Sequence, residues 1–107
     1  MELKYAITKN SKIIKEFQSP IELAIEFDNE IVILLGRDYF KGGRNVYCVD
    51  LEGNILWQVP EVKLVPQDSS YVKIMKNNKN VILTNWDGTR LTIEPQTGKI
   101  LDQKSGK

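Results

Sequence analysis

The sequence predicts an all-β chain of short antiparallel strands, and three observations carry that prediction. Residues 46–60, Val-Tyr-Cys-Val-Asp-Leu-Glu-Gly-Asn-Ile-Leu-Trp-Gln-Val-Pro, read as two strands, Val46 to Leu51 and Ile55 to Val59, around a tight turn at Glu52-Gly53-Asn54. Gly53 supplies the positive φ that such a turn needs, and Asn54 tolerates it better than most residues. The same hairpin recurs twice more along the chain. Between the copies, apolar and polar residues alternate with the period of a strand.

The first copy opens the chain. Tyr5-Ala6-Ile7 aligns with Tyr47-Cys48-Val49, and Ile13-Ile14 with Ile55-Leu56, so Leu3 to Lys9 and Lys12 to Phe17 are expected as paired strands. Gln18-Ser19-Pro20 then turns the chain. Ile21 to Asp28 alternates, with Ile21, Leu23, Ile25 and Phe27 on one face and Glu22, Ala24, Glu26 and Asp28 on the other. Asp28-Asn29-Glu30 turns into Ile31 to Leu35, apolar on both faces as in the middle of a packed sheet. An irregular loop follows, Arg37 to Asn45, with Tyr39-Phe40 and Gly42-Gly43.

After Pro60 a connector, Glu61 to Ser70, leads into strands Tyr71 to Lys76 and Val81 to Asn85, turned by Asn77-Asn78-Lys79-Asn80. Asp87-Gly88 is a strong two-residue hairpin signal before Arg90 to Glu94. Thr97-Gly98 leads into Lys99 to Asp102, and Gln103 to Lys107 are expected to fray.

Two full copies are therefore legible. Ile25, Val32, Tyr47, Gly53 and Leu56 correspond to Ile74, Val81, Leu91, Gly98 and Leu101, with one insertion, the Tyr39-Phe40 loop. Periods of this size with four short strands each are those of propeller blades. Two and a half blades are too few for a closed ring of four to eight. The expected fold is an open half β-propeller in one domain: a half blade at 1–19, a blade at 20–60 and a blade at 61–107.

Composition narrows the function classes. Fifteen Lys and Arg against fourteen Asp and Glu leave a formal charge of +1, so net charge singles out neither nucleic acid nor membrane as a partner. The chain has no histidine, which removes the commonest general base and metal ligand and every Ser/His or Cys/His pairing. Its one cysteine, Cys48, reads as a buried small hydrophobe. Met-Glu-Leu-Lys-Tyr opens no apolar run of signal-peptide length, and Ile31 to Leu35 is too short to span a membrane. A cytoplasmic protein is expected, with no cofactor, no metal, no catalytic residue and no enzymatic activity.

The segments Tyr-Cys-Val-Asp-Leu-Glu-Gly-Asn-Ile-Leu-Trp and Leu-Thr-Ile-Glu-Pro-Gln-Thr-Gly-Lys-Ile-Leu resemble quinoprotein-type (pyrroloquinoline-quinone-like) β-propeller repeats. In those an apolar-acidic pair, a turn glycine and a closing Leu-Trp mark the outer strands of a blade. Trp57 matches the family's tryptophan; Asp102 and Lys15 stand there in the other copies. No quinone is implied, since members that bind it are longer and closed.

On a half-propeller, the loops between second and third strands share one face with those between blades. That face would carry Tyr39, Phe40, Lys41, Arg44, Gln67, Asp68, Trp86 and Asp87, and loops on a rigid scaffold are where binding concentrates. The inner strands would show Glu22, Glu26 and Asp28 in one blade, and Lys73 and Lys76 in the other. Tyr39-Phe40 fits equally a loop folded back on the core, the acids fit a solvated strand side, and Trp86 fits core or contact.

The expected activity is protein binding. In size and partial-propeller build the chain resembles the immunity proteins of contact-dependent growth inhibition and related bacterial toxin systems. That resemblance implies a toxin partner, typically a nuclease, with the acids facing its basic groove and the aromatics anchoring the contact. The second expectation is a homodimer whose five blades close a ring around a small ligand. Direct nucleic-acid binding through Lys73, Lys76, Lys79 and Arg44 is the weakest of the three.

Overall fold

The computed structural model describes residues 6–9, 12–36, 43–66 and 68–106. These form ten strands: β1 (Ala6–Lys9), β2 (Lys12–Glu16), β3 (Ile21–Glu26), β4 (Glu30–Leu35), β5 (Val46–Asp50), β6 (Ile55–Gln58), β7 (Tyr71–Asn77), β8 (Asn80–Asn85), β9 (Arg90–Ile93) and β10 (Ile100–Lys104). They build three antiparallel sheets, a β1-β2 hairpin, a middle sheet ordered β3-β4-β5-β6 and a third ordered β7-β8-β9-β10. Among the described residues every strand pairs only with its sequence neighbours, so the sheets are meanders. The chain is all-β, as its pattern predicts.

The middle sheet is packed on both faces. Val32, Leu34, Val46, Cys48 and Val59 share a core with Tyr71, Ile74, Val81, Leu83, Leu91 and Ile93 of the third sheet. On the other face Ile31, Ile33, Leu35 and Val49 pack with Ile7, Ile14 and Phe17 of the hairpin region. Phe17 and Tyr47 meet across that second interface with ring centroids 5.3 Å apart. This is why β4 is apolar at every position from Ile31 to Leu35 and buried throughout. Each such side chain contributes roughly 1.5–3 kcal/mol on burial.

The turn glycines fix how one sheet sits on the previous one. Gly53, at φ 89°, lies against the backbone of Ile14 in β2, where a Cβ would collide with the Ile14 carbonyl. Gly98, at φ 78°, lies against the Trp57 ring in β6, with 2.7 Å between the place of a Cβ and Trp57 Cγ. Both positions need the left-handed region and the missing side chain.

Several local expectations are corrected. The β5–β6 turn is Leu51-Glu52-Gly53, closed by Asp50 N–H donating to the Asn54 carbonyl at 2.9 Å. Asn54 does not take the positive φ; its N–H and Nδ2 donate to the Asp50 carboxylate instead, both at 2.9 Å. The Asp87-Gly88 hairpin is one residue longer than a two-residue turn, with Asn85 N–H donating to the Thr89 carbonyl at 2.8 Å around Trp86-Asp87-Gly88. Gln103 and Lys104 do not fray, since they pair with Leu91 and Arg90.

The repeat alignment also slips by one residue. Ile31 pairs with Val49 and Val81 with Ile93, so Val81 is the counterpart of Ile31, not of Val32. The alignment matched apolar residues of opposite faces, Ile25 opposite Val32 with Ile74 opposite Leu83; both strands carry the same bulge, β3 between Ile21 and Leu23 and β7 between Tyr71 and Lys73. A bulge adds one residue and so reverses which face the following side chains take. Ile21 accordingly joins the hairpin-side core, while Leu23, opposite Leu34, is 45% exposed at the sheet edge.

Candidate functional site

One end of the molecule gathers the connections from β4 to β5, from β6 to β7 and from β8 to β9. Here buried polar side chains do the joining. Asn45 is wholly buried; its Nδ2 donates to the Leu35 carbonyl at 2.8 Å and the Tyr71 carbonyl at 2.9 Å, and its Oδ1 accepts from Tyr71 N–H at 2.8 Å. One side chain thereby clamps the start of β7 to the middle sheet. Asn85, 1% exposed, holds the connector: its Nδ2 donates to the Ser69 carbonyl at 2.9 Å, and its Oδ1 meets the Ser69 hydroxyl.

Arg44, Asp68, Trp86 and Asp87 all lie at this end, as expected for a loop face. Arg44 is pinned, its Nε donating to the Val59 carbonyl at 2.7 Å while its own carbonyl accepts from Gln58 Nε2 at 2.7 Å. Asp87 Oδ1 accepts from Thr89 N–H at 2.9 Å, which fixes the β8–β9 turn. Trp86 N–H donates to the Ser70 carbonyl at 2.9 Å. Trp86 is 67% exposed, so its ring is not part of the core. Asp68 is exposed on the connector. A cleft of about 20 Å³ beside Arg44, Glu61, Ser69 and Tyr71 has room for a single water.

Burial pushes the Tyr71 phenol up to about 12, with the Asp87 carboxylate adding to the effect and a hydrogen bond with Asn85 opposing it. Burial likewise pushes the Cys48 thiol up to about 12, reinforced by Glu30. Neither group is a nucleophile near neutral pH. Glu30 is 5% exposed, and its Oε1 has no hydrogen-bond partner. Among the described residues no three His, Cys, Asp or Glu side chains are grouped to hold a metal ion, and no helix is long and apolar enough to cross a membrane.

The remaining expected residues scatter. Tyr39, Phe40, Lys41 and Gln67 lie outside the described residues. Glu22, Glu26 and Asp28 are exposed but do not form one row: Glu22 sits in the β3 bulge, Glu26 ends the strand and Asp28 is in the turn at the opposite end of the sheet. Lys73 and Lys76 point to opposite faces, Lys73 pairing with Thr84 and Lys76 with Val81. Lys76 reaches across to the middle sheet, with Nζ 3.4 Å from the Glu26 carbonyl and 4.8 Å from the centre of the Phe27 ring.

A surface that the sequence reading passed over is the outer face of the third sheet. It holds an open groove of about 270 Å³ lined by Asn77, Ile82, Arg90, Thr92, Asp102 and Lys104. Paired strands place Ile82 beside Thr92 and Thr84 beside Arg90, at the positions that Val32, Cys48, Leu34 and Val46 fill in the middle sheet. The signal was present in the sequence, but the one-residue slip in the repeat alignment hid it.

Residues 5–105 match the family described as Domain of unknown function (DUF7957), and the chain belongs to that family. No curated protein matches it. Among solved structures it is similar to the crystal structure of the computationally designed Ika8 protein, with a TM-score of 0.63 and 19% sequence identity. The match covers 91% of this chain and 28% of that one, so the chain spans little more than a quarter of the designed protein's length. At this identity the likeness is one of fold.

Proposed function

We propose that the chain is a non-enzymatic protein-binding module built as an open half β-propeller. Two features support the architecture. The glycine turn of each four-stranded sheet seats on the outermost strand of the sheet before it, so one packing step is used twice. At the other edge β7 lies against β3 and β4, so the sheets converge there as blades do around an axis.

The observation that carries the binding reading is Trp86, a large aromatic left 67% exposed on a turn whose N–H groups donate to Asn85, Asp87 and Ser70. A rigid exposed tryptophan is the usual anchor of a protein interface, since little side-chain entropy is lost when it is covered. Arg44, Asp68 and Asp87 would form its polar rim.

The specific form of this reading is an immunity protein that binds and neutralises a cognate toxin, with the toxin encoded beside it. The exposed Trp86 with Arg44, Asp68 and Asp87 around it supports a protein partner of this kind. Co-expression should suppress the toxicity of the adjacent gene product, and Trp86→Ala should weaken that complex by about 2 kcal/mol in titration calorimetry. A harmless neighbour would remove the toxin reading, and an unchanged affinity would move the interface away from this end. The ring-closing homodimer gains no support, because the face that would have to join the next blade is polar.

A further inference from the structure

We propose that the outer face of the third sheet docks an acidic, carboxylate-rich segment of a protein partner, through a cationic row formed by Lys73, Arg90 and Lys104. It rests on the reading of the chain as a protein-binding module and names the chemistry of what is bound. Cross-strand pairs run Lys73 to Thr84, Thr84 to Arg90 and Arg90 to Lys104, so four residues stand in line across all four strands. With neighbouring strands roughly 4.8 Å apart, the row spans about 14 Å. Lys73, Arg90 and Lys104 are all exposed.

Two features set this row apart from an ordinary wet sheet face. Arg90 and Lys104 are direct cross-strand partners, an arrangement that repels unless an anion lies between them. Asp102 is the one carboxylate among the groove's six lining residues, and it stands opposite Thr92, two pairs further along. Beside the cations runs a second line, Met75, Ile82, Thr92 and Asp102, in which Met75 is 45% exposed. The polar face thus offers a charged strip with two apolar side chains, Met75 and Ile82, alongside it.

That combination selects among polyanions. An extended peptide with acids at alternate positions sets successive carboxylates roughly 7 Å apart and covers the row with about four residues. Its intervening side chains can rest on Met75 and Ile82. Single-stranded nucleic acid is bound by stacking its bases on aromatic rings. None of the residues named on this face is aromatic.

The test is fluorescence anisotropy of a labelled peptide alternating glutamate and serine, titrated with the full chain. Binding should weaken as salt is raised. The triple variant Lys73→Gln/Arg90→Gln/Lys104→Gln should lose about tenfold in affinity. A control triple, Lys63→Gln/Lys79→Gln/Lys99→Gln, removes the same charge from exposed turn and connector positions and should leave affinity unchanged. Equal loss in both triples would reduce the effect to net charge and overturn the proposal. So would an absence of peptide binding, tighter binding of an oligothymidylate, or a salt-sensitive dimer formed without peptide. The loop-end reading is scored separately, by Trp86→Ala against the neighbouring gene product, so either can fail alone.

Discussion

Trp57 is half-buried, and its Nε1 donates to the Pro95 carbonyl at 2.7 Å while Gly98 lies flat on its ring. The same carbonyl oxygen is 3.5 Å from Cys48 Sγ, so one backbone group of the third sheet is held by two side chains of the middle one. Trp57→Ala should cost about 3 kcal/mol, the low end for a large aromatic because the ring is not fully enclosed. Trp57→Phe keeps most of the packing and should cost about 1 kcal/mol for the lost hydrogen bond. Gly98→Ala meets both a positive φ and the indole, and about 1–3 kcal/mol is expected. Urea denaturation of the three variants checks these values; a Gly98→Ala protein as stable as the parent would contradict the seating of the turn on the ring. Of this cluster the sequence marked Trp57, as the match to the tryptophan of the propeller repeats. The bond to Pro95 spans 38 residues and had no local trace.

At the scale of elements, Asn45 ties two sheets and Asp50 closes one turn. Asn45→Ala would leave Tyr71 N–H and the Leu35 and Tyr71 carbonyls without their partner in a buried place, at about 2–3 kcal/mol. Hydrogen exchange at the Tyr71 amide should quicken in that variant ahead of amides in β4; unchanged protection would mean that the clamp is redundant. Asp50 accepts from Asn54 and Glu52, and these bonds hold its carboxyl below the ordinary value of 3.8. A depressed carboxyl stabilises the fold above its unfolded value and ceases to do so as pH falls. Asp50→Ala should therefore flatten the acid limb of the stability profile below about pH 4. Strand existence was legible throughout, because apolar runs and turn residues act within a few positions. Register was not, since a bulge such as that at Ile21/Leu23 costs no recognisable residue type yet reverses every later face.

Over the whole molecule, the Tyr71 phenol and the Cys48 thiol, both held up to about 12, set the alkaline limit. A raised acid stabilises the fold fully below its unfolded value, 9.0 for the thiol and 10.0 for the phenol, and that contribution disappears as pH climbs through the folded one. Stability should thus be flat toward pH 9 and fall steeply above it; Tyr71→Phe with Cys48→Ala should move the fall to higher pH. Native Cys48 should also resist thiol reagents at pH 8 and react once urea unfolds the chain. Immediate reaction in the folded state would place the thiol outside the core. The three-sheet order was readable from the recurring hairpin. The difference between the two faces of the third sheet lies in its cross-strand pairs, which the repeat alignment places one residue off.

Synthesis gives the doubly packed middle sheet a history. The strands that cover Val32, Leu34, Val46 and Cys48 all lie after residue 60. At the usual 5–20 residues per second, the third sheet takes about 2–9 s to emerge. Through that interval a nascent chain carries a bare apolar face beside a sheet already able to form from its own neighbours, and this is the surface that holding chaperones recognise. Once the third sheet docks, the exposed face becomes Lys73, Thr84, Arg90 and Lys104, which water accepts. A stalled chain with residues 1–60 clear of the ribosome's exit tunnel should therefore bind an apolar-surface dye, and one with residues 1–104 clear should not.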